Sequence, residues 1–141
     1  MSIPPAAVRR SDDSAHEKEE HVQYLALIYG DEGAWEAQPP QERAAVMERY
    51  VAFSRDARAA GVMAAGDELA PTSDATTVRV RDGRTLVVDG PYAEVKEALG
   101  GYFLLECGSI DEAVEWAARI PGAEHGAVEV RPVHVDPEEE S

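Results

Sequence analysis

Residues Val87 to Leu105 read V-V-D-G-P-Y-A-E-V-K-E-A-L-G-G-Y-F-L-L, and this stretch decides the fold. A strand ends in Asp89-Gly90-Pro91-Tyr92, a short charged segment follows, and Gly100-Gly101 opens a second apolar strand to Cys107. Upstream, Thr77-Val78-Arg79-Val80-Arg81 and Arg84-Thr85-Leu86-Val87-Val88 flank Asp82-Gly83. That dipeptide supplies the positive φ angles of a two-residue hairpin turn. The register it imposes puts Val78, Val80 and Val87 on one face, with Arg79, Arg81, Arg84 and Leu86 on the other.

Outward from this hairpin, Val22 to Tyr29 is a near-continuous apolar run suited to a central strand, broken by Gly30-Asp31-Glu32-Gly33. Val46, Tyr50, Phe53, Ala57 and Ala60 recur at helical spacing from Pro40, with Gly61 just past the end. Pro39 offers no capping hydroxyl at its start. Val62 to Leu69 reads as a strand. Ser109-Ile110-Asp111-Glu112 is a capping box ahead of a helix that Pro121 is expected to end. Ala127 to Val133 is the last strand, with Pro132 marking an edge or a strand end. The order is β-α-β, an inserted hairpin, then β-α-β. Two such units predict a ferredoxin-like α+β sheet with both helices on one face. The other face is then bare and apolar, and exposing it costs about 25 cal/mol per Å². A second copy would cover it, so a homodimer is expected.

Composition bounds the function. The 141 residues suit one domain, read as residues 21–134, between an N-terminal arm (1–20) expected to be disordered and an acidic C-terminal tail (135–141). The formal net charge is −15, a field that repels phosphate backbones and argues against nucleic-acid binding. No apolar run reaches the ~18 residues of a membrane span, and no secretory signal stands at the start. A single cysteine, Cys107, leaves no internal disulfide and no multi-cysteine metal cluster. A soluble, bacterial-type cytoplasmic protein without a cofactor is the expectation.

Three segments together resemble the DGPF-type branch of the YCII-related family: Tyr24 to Glu32, the Asp89-Gly90-Pro91-Tyr92 run, and Asp111 to Pro132. Tyr92 stands where that branch usually has phenylalanine. The resemblance covers about residues 22–133 and implies a dimeric α+β barrel, sheet against sheet. It implies no settled activity. Genes of this branch often lie beside those of extracytoplasmic-function sigma factors, which makes a sigma-factor-linked partner one expectation. The broader family tends to carry a histidine near the first helix to pair with an aspartate. Here His16, His21, His125 and His134 all lie elsewhere.

Two functions remain open on these residues. One is a small dimeric ligand- or partner-binding regulatory module. The other is an enzyme on a small polar molecule, with Asp89 as general acid or base and Lys96 or Tyr92 assisting. Against it stands a turn-shaping role, in which the Asp89 carboxylate accepts backbone N–H bonds. Asp31, Trp35 and Glu94 are the candidate ligand-binding residues. Asp31 and Glu32 with Asp89 offer oxygen ligands of the type hard cations take, but no metal-binding spacing is present. Glu94, Lys96 and Glu97 also suit the outside of a helical turn with Val95, Ala98 and Leu99 inward. Cys107, late in an apolar strand, reads as a core thiol. The basic cluster of Arg79, Arg81 and Arg84 suits an acidic partner or a solvated hairpin face.

Overall fold

Apolar alternation in four strands builds one antiparallel sheet, ordered β2-β5-β1-β6 in a computed structural model that describes residues 22–135. The predicted arm and nearly all of the acidic tail lie outside the described residues. The strands are β1 (Val22–Asp31), β2 (Met63–Glu68), β5 (Glu97–Cys107) and β6 (Ala127–Pro132). Between β2 and β5, β3 (Thr76–Arg81) and β4 (Arg84–Asp89) form a separate two-stranded hairpin. Helices α1 (Glu32–Ala37), α2 (Pro40–Ala59) and α3 (Ile110–Ala117) complete the set. This is the predicted ferredoxin-like α+β arrangement with an inserted hairpin. The described chain closes no barrel by itself; β2 and β6 are edges.

One face of the sheet makes the core. Tyr24 and Ala26 of β1 and Phe103, Leu105 and Cys107 of β5 are buried against Phe53 and Ala57 of α2 and Ala113 and Ala117 of α3. Phe53 is the hub: its ring lies 5.0 Å from that of Phe103 and meets Trp116 nearly edge-on at 6.1 Å. Because strand side chains alternate, Leu25, Leu27, Tyr29, Tyr102 and Leu104 point to the opposite face. The register sets Leu25 beside Leu104 and Leu27 beside Tyr102. They are half-buried, and no helix of the core cluster packs on that side.

Local signals place most boundaries. Asp82 (φ 53°) and Gly83 (φ 76°) make the two-residue turn, pairing Val78 with Val87 and Arg79 with Leu86 as the sequence predicts. α2 starts at Pro40 without a side-chain cap; the Pro39 carbonyl accepts from the amides of Glu42 and Arg43 instead. Ser109 caps α3 by accepting from the Glu112 amide, while the Glu112 carboxylate reaches back to the amide of Gly108.

Three expectations are corrected. β1 runs on to Asp31, and α1 follows at once, where the Gly30 to Gly33 run suggested only a break. Residues 94–97 form no helical turn: β5 begins at Glu97, Ala98 is buried, and Val95 and Leu99 are exposed. A bulge opposite Ile28 and Tyr29, at Gly100, carries this early part of β5. α3 stops at Ala117, and Pro121 opens a 3₁₀ turn (Pro121–Glu124) rather than ending the helix.

Candidate functional site

Gly90 adopts φ 116°, a conformation closed to residues with a Cβ, rather than the ordinary extended backbone expected before Pro91. The turn beyond β4 therefore depends on glycine. Backbone bonds close it: the Gly90 amide donates to the Ala75 carbonyl at 2.7 Å, and Thr77 Oγ1 donates to the Gly90 carbonyl at 2.8 Å. Asp89, paired across the hairpin with Thr76, is exposed. Its carboxylate makes no hydrogen bond among the described residues, so this turn does not use it as a clamp.

Beside this loop lies a hollow of about 330 Å³. Thr72 and Ser73, in the 3₁₀ turn Thr72–Asp74, form one wall; Pro91, Ala93, Glu94, Val95 and Ala98 form the rest. Glu32, first residue of α1, fixes the first wall from a distance of 40 residues. Its carboxylate accepts from the Thr72 amide at 2.9 Å and from Thr72 Oγ1 at 2.8 Å. Thr72 and Ser73 bring hydroxyls, the first already held by Glu32, and Glu94 brings a carboxylate; Pro91, Ala93, Val95 and Ala98 are apolar. Such a surface suits a small polar molecule with a short apolar body.

Of the residues singled out from sequence, Glu94 alone lines this hollow. Asp31 is the N-cap of α1, accepting from the Ala34 amide at 3.1 Å. Trp35 is half-buried in α1, its carbonyl taking the Gln38 amide. Tyr92 is 76% exposed and lies under the Arg79 guanidinium, 5.1 Å from ring centre. Lys96 is exposed. Among the described residues no hydrogen bond or ion pair joins Asp89, Tyr92 and Lys96. His125 and His134 are exposed and bond neither to Asp89 nor to one another. No group of three His, Cys, Asp or Glu among the described residues is placed to hold a metal ion. No described helix is long and apolar enough to cross a membrane.

Three other features are structural. A dip of about 500 Å³ on the outer side of α2 is lined by Tyr50, Val51, Ser54, Arg55 and Arg58, all on one helix, so no second element converges on it. Cys107 is buried, and loss of solvent pushes its thiol up to about 12, with the Glu112 carboxylate adding to the shift. That thiol is protonated and inert at neutral pH. Arg49 and Glu124 form a two-pronged pair at 2.6 and 3.1 Å that ties α2 to the second 3₁₀ turn. The guanidinium holds the Glu124 carboxyl below its usual range.

Thr72, Ser73 and the Glu32 clamp were missed from sequence. Their one local signal is the turn composition Pro71-Thr72-Ser73-Asp74.

Comparison with known proteins adds a family and no reaction. A curated protein of Rhizobium meliloti (strain 1021), described as uncharacterized, is 39% identical over 112 residues, covering 78% of this chain and 90% of that one. The YCII-related domain profile matches residues 22–135, the whole sheet and its helices, so this chain belongs to the YCII-related family.

Proposed function

We propose that this chain is a small homodimeric binding module of the bacterial cytoplasm, taking a small ligand or a protein partner near the seam between two copies. The observation that carries this reading is the strip Leu25, Leu27, Tyr29, Tyr102 and Leu104 on the sheet face that α2 and α3 leave uncovered. A second sheet laid on that strip removes it from water at about 25 cal/mol per Å². The hollow between the Thr72–Asp74 turn and the Pro91 loop is the ligand site in this reading. A self-contained catalyst finds less support. The Asp89 carboxylate has no proton-transfer partner within the described chain, and Tyr92 and Lys96 do not converge on it.

The second reading, an enzyme using Asp89 as general acid or base, draws on one observation: that carboxylate is uncommitted among the described residues. It requires the second copy to supply the missing polar group. Native mass spectrometry of protein taken gently from its host separates these readings. The binding reading expects a dimer that retains a small molecule or a co-purifying chain, and a sigma-factor-linked protein is the partner the resemblance suggests. A bare monomer overturns it. A dimer that turns over its retained molecule and loses that turnover in Asp89→Asn favours the enzyme.

A further inference from the structure

The β3–β4 hairpin pairs with no strand of the main sheet, yet it is rich in apolar side chains on both faces. Val78, Val80, Val87 and Val88 are each about 60% exposed, and Leu86 is 43% exposed. A lone two-stranded hairpin is marginal in water unless something packs on it. Its charge is also out of keeping with the molecule. Residues 76–89 carry three arginines against two aspartates, in a chain of 28 acidic and 13 basic residues. Among the described residues none of those arginines has a carboxylate partner. Arg79 lies on Tyr92, Arg81 donates to its own neighbour's carbonyl at Val80, and Arg84 makes no bond.

We propose that the hairpin is an arm that clasps a second copy of this chain, along the flank of its open sheet face. The complementarity is on the chain itself. The apolar strip of that face is bordered by Asp67 of β2 and Glu129 of β6, which the register places on the same side as Tyr102 and Leu27. Two copies with a net charge of −15 repel one another, so a stable contact needs a surface that is locally not acidic. The arm is such a surface: Val78, Val80 and Val87 form the face that lies along the flank of the strip, while Arg79, Arg81 and Arg84 on its other face keep the arm from being acidic. The exchange is reciprocal, each copy giving an arm and receiving one, which closes the assembly at two. Asp89 shares a hairpin face with Val78 and Val87. The arm therefore carries the Asp89 loop to the seam, and the hollow beside it borders on the partner. This rests on the homodimer proposed above.

The test uses the full chain and two variants, Val78→Ser with Val87→Ser, and Arg79→Glu with Arg81→Glu and Arg84→Glu. Analytical ultracentrifugation is expected to show each variant folded, with the dimer dissociation constant raised tenfold or more. Hydrogen exchange of wild-type amides 76–89 is expected to be slow in the dimer and fast on dilution to monomer, while β1 and β5 stay protected. Dimers as tight as wild type in both variants, or arm amides equally protected in the monomer, overturn the arm and leave the homodimer standing. A wild-type chain that is monomeric at every concentration overturns both.

Discussion

Asp89 ends β4 exposed, and the backbone around it holds the turn without its carboxylate. Asp89→Asn is therefore expected to change stability by no more than about 0.5 kcal/mol in thermal or urea melts. Gly90→Ala is expected to cost 1 kcal/mol or more, because φ 116° strains any residue with a Cβ. The reverse order would return the turn-shaping role to Asp89. Cys107 gives a second test at this scale. Its folded thiol titrates near 12, above the ordinary 9.0, because burial penalises the thiolate. The raised value means this contribution to stability is whole below pH 9 and is lost as pH rises toward 12. Cys107→Ala is expected to flatten the alkaline limb of the stability profile between those limits. Native protein at pH 8 is expected to resist a thiol reagent that labels the urea-unfolded chain at once; fast native labelling would contradict the burial.

At the scale of elements, what was legible in the sequence was local. The hairpin register follows from Asp82-Gly83, the start of α2 from Pro40, and the α3 cap from Ser109 and Glu112, each set by residues within four positions. Ser109→Ala is expected to cost about 1 kcal/mol through loss of the bond to the Glu112 amide, measured by chemical denaturation. Phe53→Ala is expected to cost about 3–5 kcal/mol, since its ring joins α2 to both β5 and α3. A loss under 1 kcal/mol would mean that α2 packs without it. The rest was illegible because distant partners decide it. Glu94, Lys96 and Glu97 carry helix-forming composition, yet pairing with Asp31 of β1 takes Glu97 into a strand and leaves 94–96 irregular. Thr72 became part of the candidate site through Glu32, 40 residues earlier, and no local pattern announces such a clamp.

Among the described residues two apolar surfaces stay open to water: the half-buried strip on the sheet, which no helix of the core covers, and the exposed valines of the arm. In the proposed dimer one association of two copies covers both, and it brings the Asp89 loop to a shared boundary. Leu27→Asp, in the middle of the strip, is expected to shift the proposed dimer toward monomer while far-ultraviolet circular dichroism stays unchanged, since Leu27 faces away from the helices. The most direct measurement is sedimentation equilibrium of the wild-type protein over micromolar to nanomolar concentration. A mass twice that of the 141-residue chain, falling to one chain only on high dilution, is the expected result. A single chain at every concentration, stable and soluble with its strip bare, would contradict it.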